Sequence, residues 1–158
     1  MDYIVTIGDY EISTEVGRLQ REVIWRFLHR ESEWARGIPY EVMCRTLDHS
    51  LNFGLYTRTG SQIGFARVIT DYGQFAYLCD VFVLAPYRGR GLGRALVKAV
   101  MDHPDLVGLR RYALDAVDEA RSLYAQFGFA PLADPSGHME ITHRAMELWP
   151  RGNNDHTE

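Results

Sequence analysis

The sequence predicts one α+β domain of mixed α/β character, with a mostly antiparallel central sheet flanked by helices. Three observations carry that expectation. Strand formers separated by turn residues fill the stretch from Phe53 to Leu84, which reads as an antiparallel meander. A strand, a glycine loop, a helix, a second strand and a second helix follow it. No repeat, low-complexity block or linker interrupts the chain before Arg151, so residues 1–150 are expected to form a single domain and 151–158, which lack an apolar anchor, a disordered tail.

Taken in order, Tyr3 to Ile7 reads as a short strand. Leu19, Val23 and Phe27, with Ile24 and Leu28 beside them, recur at helical spacing. Residues 31–38 then form a loop, and Pro39 is expected in the first turn of a second helix carrying Val42, Met43, Thr46 and Leu47. Phe53–Thr57, Gln62–Thr70 and Phe75–Leu84 are the meander strands, the last two the most central. After the glycine loop, Leu92, Leu96 and Val100 mark a helix ending near His103-Pro104, and Arg111 to Ala116 a strand. Ala120, Leu123, Tyr124 and Phe127 mark a helix stopped by Gly128. Met139 to Thr142 could add a final strand.

With 158 residues, 46% of them hydrophobic, the chain can bury one substantial core. Its formal net charge of −4 argues against a nucleic-acid or anionic-membrane surface, since both need a basic face. No signal segment and no stretch near the roughly 18 apolar residues of a membrane span occur, which points to the cytoplasm. Cys44 and Cys79 are expected as reduced thiols. The six histidines show no metal-ligand spacing, so no metal is expected.

The strand ending at Val83-Leu84 runs through Ala85-Pro86-Tyr87 into Arg88-Gly89-Arg90-Gly91-Leu92-Gly93 and then a helix. Alternating glycines let the backbone approach a ligand, and the helix start adds free N–H donors and a positive dipole end. Arg88, Arg90 and Arg94 supply cations, so the loop favours a pyrophosphate. A dinucleotide G-x-G-x-x-G starting at Gly89 would need glycine in place of Arg94, and no Gly-Lys-Ser/Thr occurs, which argues against nicotinamide and ATP enzymes.

The string resembles the acetyl-CoA loop of the GNAT superfamily of N-acetyltransferases, whose pattern Gln/Arg-x-x-Gly-x-Gly/Ala is met by Arg88, Gly91 and Gly93. The resemblance runs from about Gln62 to Phe129 and includes Leu123-Tyr124 followed by Gly128-Phe129. It implies a sheet splayed after Phe75–Leu84, with the pantetheine arm of acetyl-CoA along Val81, Phe82 and Val83 and its pyrophosphate on residues 88–94. One departure is Val117, where such proteins often carry asparagine seven residues before the tyrosine.

Acetyl transfer needs a neutral nucleophile, donors for the developing oxyanion and a proton for the departing thiolate. The resemblance implies Tyr124 as proton donor; its helical stripe equally suits a core tyrosine. The oxyanion donor is implied to be a backbone N–H near Val81 to Val83. Asp80 is the lone charge in an apolar strand, where desolvation would raise its pKa and suit it to general-base work. Alternatively, with a two-residue turn at Tyr72-Gly73, Phe65 pairs with Asp80 and Arg67 lies diagonally placed for an ion pair. Cys79 could form an acyl-enzyme, although no histidine adjoins it in sequence.

Acceptor pockets of the superfamily draw on the early helices and the loop between them, which singles out Glu31, Trp34, Tyr40 and Asn52. Trp34 could equally cap the core and Glu31 belong to a solvated face. The expected activity is acetyl transfer from acetyl-CoA to a primary amine of a small molecule or peptide. A non-catalytic CoA-binding sensor is the alternative. The resemblance also makes a homodimer plausible, although no heptad pattern shows one.

Overall fold

The computed structural model describes residues 1–152. Alternating and β-branched residues give six strands among them: β1 (Ile4–Ile7), β2 (Tyr10–Ser13), β3 (Leu51–Thr57), β4 (Gln62–Thr70), β5 (Phe75–Val83) and β6 (Arg111–Ala113). They form one sheet in the order β1-β2-β3-β4-β5-β6. Every pair is antiparallel except β5 with β6, which run parallel. The α+β class and the meander are as the sequence predicts.

Helix α1 (Arg21–Arg26) continues into a π-helical turn over Phe27–Glu31, closed by Ser32 N–H donating to Phe27 C=O at 2.9 Å. Helix α2 is Tyr40–Asp48, and Pro39 stands just before it as its cap rather than inside its first turn. Helix α3 (Leu92–Asp102) follows the glycine loop, α4 (Arg121–Ala125) follows β6, and α5 (Ala145–Leu148) lies near the end of the described chain. Gly128, at φ 95°, ends the α4 region, with Gly128 N–H donating to Ala125 C=O.

Two cores lie on opposite faces of the sheet. Ile12, Phe53, Leu55, Val68, Leu96 and Val100 join α3 to one face. Ile24, Leu28, Met43 and Leu47 of the α1–α2 layer meet Phe65 and Phe82 on the other, where the rings of Phe27 and Phe82 stack at 4.0 Å. Alternation along β5 is what lets one strand serve both faces.

Four further expectations are corrected. Tyr10–Ser13 is an additional strand, joined to β1 through Gly8-Asp9 with Gly8 at φ 55°. Met139 to Thr142 forms no strand, and Met139 and Ile141 are 90% and 92% exposed. β6 stops at Ala113, because it pairs with β5 only through Phe75, Ala76 and Tyr77 before the two diverge. Phe65 pairs with Phe82 rather than Asp80, since the β4–β5 connection centres on Gly73 and a bulge adds a residue to β5. The expected tail begins with Arg151 and Gly152 in a turn, Gly152 lying against the backbone of Gly37; its residues 153–158 fall outside the described range. No helix among the described residues is long and apolar enough to cross a membrane.

Candidate active site

The divergence of β6 from β5 is the structural origin of the site. Among the described residues the edge of β5 facing β6 has no strand partner beyond Tyr77, and two cavities open along it. One, of about 570 Å³, is bordered by Val81, Phe82 and Val83, by the glycine loop, and by Leu123 and Tyr124. The other, of about 440 Å³, is bordered by Trp34, Tyr77, Cys79, Asp80, Asp115 and Tyr124. They share Val81, Val117, Ala120 and Tyr124 as common wall.

The larger cavity is bordered by backbone suited to an anion. Gly89 and Gly91 take φ 78° and 76°, backbone that other residues adopt only with strain, and space for a Cβ is open at both. Gly91 caps α3 without a side-chain hydrogen bond, leaving the first-turn N–H groups of an 11-residue helix facing the loop. The three arginines are tied back to the protein. Arg88 Nε donates to Val83 C=O at 2.8 Å, Arg90 to the Tyr10 hydroxyl at 2.6 Å, and Arg94 Nε to Gln126 at 3.0 Å. The sequence-predicted residues 81–83, 88, 89 and 91–93 thus border one cavity, whereas Arg90 and Arg94 do not border it and are held by Tyr10 and Gln126.

Tyr124 stands where both cavities meet. Burial pushes its phenol above the ordinary tyrosine value, so the hydroxyl is protonated at neutral pH. That hydroxyl hydrogen-bonds to no group among the described residues, which leaves it free to meet a reacting atom.

Asp80 occupies the β5 bulge at φ 52°, a left-handed conformation costly for any residue with a Cβ. Both carboxylate oxygens are engaged. Oδ2 accepts from Arg67 Nε at 2.8 Å, and Oδ1 accepts from Trp34 Nε1 at 2.8 Å. Arg67 in turn donates to Ser50 Oγ at 3.0 Å. The ion-pair geometry is therefore present although the register that suggested it is not. A carboxylate so held anchors the bulge, and the bulge turns the backbone of Val81 at the junction of the cavities.

Cys79 borders the smaller cavity. Burial, with the Asp80 carboxylate adding to it, pushes its thiol up to about 12, so at neutral pH it is not the thiolate that an acyl-enzyme requires.

Of the four acceptor candidates, Trp34 borders the cavity. Asn52 is buried elsewhere, its amide donating to Leu47 C=O at 2.8 Å to tie the end of α2 to β3. Tyr40 packs edge-on against Trp25 at 5.8 Å, and Glu31 is exposed at the end of the π-helical turn. Sequence reasoning missed Asp115 and Tyr77, joined by the Tyr77 hydroxyl donating to Asp115 Oδ2 at 2.5 Å across the mouth of the splay. The sequence carried no distinctive signal for that pair, since tyrosine is an ordinary strand former in β5.

No group of three or more His, Cys, Asp or Glu residues among the described residues is arranged to hold a metal ion.

Comparison with known proteins agrees with this geometry. The model of the acetyltransferase (GNAT) family matches residues 19–129. A crystal structure from Xanthomonas campestris pv. campestris, of a protein assigned to the same family, is 45% identical, with a TM-score of 0.85 over 89% of this chain and 98% of that one. A Deinococcus radiodurans structure shares the fold at 21% identity and a TM-score of 0.69, over 89% of this chain and 92% of that one. A Gibberella zeae protein bearing an acetyltransferase name is 32% identical over 111 residues. That match covers 59% of this chain and 63% of the relative, so the chain spans less than two thirds of the curated relative's length. With the family model covering most of the chain, from α1 through the glycine loop to Phe129, the protein belongs to the GNAT acetyltransferase family.

Proposed function

We propose that this protein is an acetyl-CoA-dependent N-acetyltransferase that passes the acetyl group directly to a primary amine of a small molecule or peptide. The observation that carries the reading is the meeting of two cavities at Tyr124, one bordered by the glycine loop and the other by Asp115, Trp34 and Tyr77. A donor and an acceptor can enter from opposite sides and face each other at one phenol.

Bound acetyl-CoA supplies an activated acetyl thioester. The glycine loop and the first turn of α3 would hold its pyrophosphate, and the open β5 edge would align its amide arm. In the second cavity Asp115, steadied by Tyr77, offers a carboxylate to a cationic acceptor beside the apolar walls of Trp34 and Val117. The amine must reach the site neutral, and the open cavity mouth lets its proton leave to solvent. As the new C–N bond forms and the C–S bond breaks, Tyr124 gives its proton to the departing sulfur, and the proton that the acylated nitrogen must then release returns to the phenolate directly or through water. Asp80 takes no proton in this scheme, because its oxygens are already committed.

The test is calorimetric titration with acetyl-CoA, with ATP and NAD as controls, followed by an amine panel read by thiol release. Selective acetyl-CoA binding with amine-dependent release supports the reading, with Tyr124→Phe expected to lower kcat at least tenfold while leaving acetyl-CoA affinity unchanged. Binding without release from any amine would favour a CoA sensor. No binding by folded protein would sink the cofactor assignment.

A further inference from the structure

The donor-side cavity takes its walls from β5, the glycine loop and its approach, residues 117–120 and α4, with one exception. Phe27 reaches it from the α1–α2 layer, and among the described residues it is the one side chain of that layer on the cavity wall. Its place is at the reacting end. On the same flank the smaller cavity is bordered by Trp34, whose ring centroid lies 6.2 Å from that of Phe27, so the two rings stand side by side where the cavities meet. The wall shared there is otherwise Val81, Val117, Ala120 and Tyr124.

The Phe27 ring is held from several directions. It is 7% exposed and stacks flat on Phe82, with centroids 4.0 Å apart and planes inclined by 13°. The Phe27 carbonyl accepts from Ser32 N–H at 2.9 Å, the bond that closes the π-helical turn, and Ser32 Oγ donates back to Leu28 C=O at 2.6 Å. Single π-helical turns are rare and recur at functional sites. Beside the ring, the Trp34 indole is tied to Asp80. Moving Phe27 aside would break the stack and leave a void in a packed core, whereas Val117, 55% exposed, can yield to a ligand.

We propose that Phe27 sets the acyl specificity of the donor site, its ring ending the cavity beyond the thioester and limiting the acyl group to acetyl. The inference rests on the acetyltransferase reading above. With the pyrophosphate on the glycine loop and the thioester at Tyr124, the acyl chain points past the reacting carbon toward the junction of the cavities, where the firmly held neighbour is the Phe27 ring. A butyryl group carries two more carbons past that point and meets ring where acetyl meets space. Accommodating it needs either a displaced ring or a chain turned into the acceptor-side cavity, where it obstructs the amine. In an apolar pocket of fixed shape each misfitted methylene costs about tenfold. Phe27 is thus a specificity-determining residue and handles no proton in the transfer.

The experiment is calorimetric titration of the full chain with acetyl-CoA, propionyl-CoA and butyryl-CoA, on wild type, Phe27→Leu and Phe27→Ala. No amine is needed. The ratio of dissociation constants is read within each protein, so a general loss of affinity in a variant cancels. Wild type is expected to bind butyryl-CoA at least tenfold more weakly than acetyl-CoA, with propionyl-CoA between them. Phe27→Ala, which removes the ring, should narrow the butyryl-to-acetyl ratio at least fivefold, and Phe27→Leu at least twofold. The alanine variant opens a void in the core, so far-UV spectra and urea midpoints accompany it, and the leucine variant, which keeps more of the packing, carries the test if the alanine variant does not fold. A wild type that binds all three donors equally would overturn the proposal. So would folded variants that keep the wild-type ratio. Either of those results leaves acetyl-CoA binding, and the acetyltransferase reading, intact, whereas folded wild type that binds none of the donors would overturn both.

Discussion

The indole of Trp34 donates to Oδ1 of Asp80 at 2.8 Å, joining the loop after α1 to the bulge of β5 across 46 residues of sequence. The contact makes the acceptor-side wall and the bulge beside it one unit. Replacing Trp34 by Phe keeps an aromatic ring but removes the donor. Half-exposure of the indole limits the loss, so the denaturation midpoint should fall by the equivalent of about 1 kcal/mol. The KM for the amine should rise while the acetyl-CoA dissociation constant stays constant. A change in acetyl-CoA affinity instead would mean that Trp34 serves the other cavity.

Asp80→Asn isolates charge from backbone, since asparagine tolerates the left-handed conformation at φ 52°. It leaves Arg67, 13% exposed, without its counter-charge, which should destabilise the fold by about 3 kcal/mol. Adding Arg67→Met should restore part of that loss. Equilibrium unfolding of the two variants measures both. Full stability with a much reduced kcat, recovered at higher pH, would return Asp80 to the role of base.

Tyr56 lies wholly buried with its hydroxyl unpartnered, folded over Gly54, where no other residue leaves room for the ring. Burial pushes its phenol up to about 12, against about 10 unfolded. The unfolded state therefore releases the proton first. Stability from this group is intact below pH 10 and declines as pH rises toward 12, by about 3 kcal/mol in all. Tyr56→Phe should flatten that alkaline loss yet change stability at pH 7 by under about 1 kcal/mol, because no hydrogen bond is removed. The Cys79 thiol adds a loss of the same sign above about pH 9, which the variant retains. Urea midpoints measured from pH 7 to 11 decide the matter.

The sheet, its meander and the helix after the glycine loop were legible because each rests on local pattern: period two, turn residues, period 3.6. Tyr10–Ser13 escaped because four residues give too short an alternation, although Gly8-Asp9 before it is a hairpin signal. The register at Asp80 was illegible for a different reason. A bulge inserts a residue without any mark in composition, so counting back from Tyr72-Gly73 placed Asp80 opposite the wrong partner while still predicting Arg67 as its ion pair. Asp115 and Trp34 reach the acceptor-side cavity through tertiary contacts alone. Met139 and Ile141 show the converse, a strand pattern with no partner strand among the described residues.

Cys79 borders the acceptor cavity but holds its proton to about pH 12. Cys79→Ala should therefore keep a sequential kinetic pattern and most of kcat, and no acetylated enzyme should accumulate when acetyl-CoA is supplied alone. Thiol reagents should modify Cys79 at pH 7.5 at least tenfold more slowly than a free cysteine, as the thiolate fraction is correspondingly small. Intact-mass measurement after acetyl-CoA incubation checks the first outcome. An acetyl adduct lost in the variant would establish double displacement.

The glycines of the loop separate folding from ligand binding. Gly91 takes φ 76°, so Gly91→Ala strains the backbone at the start of α3 and should cost about 1 kcal/mol of stability, whatever the cavity holds. Gly93 is different. It lies inside α3 with ordinary helical backbone, and a Cβ there meets only Leu123 Cδ2 at 3.9 Å, normal contact. Alanine is also the better helix former, so Gly93→Ala should fold at least as stably as wild type. Yet Gly93 borders the donor-side cavity. The loop pattern admits alanine at this position, so Gly93→Ala should keep its acetyl-CoA affinity with a Tm unchanged or raised, whereas Gly93→Val, whose branched side chain takes space that a close-lying phosphate would need, should lower that affinity at least tenfold. Undiminished affinity in Gly93→Val would mean that the ligand does not approach the first turn of α3, and the phosphate assignment of this loop would fall with it.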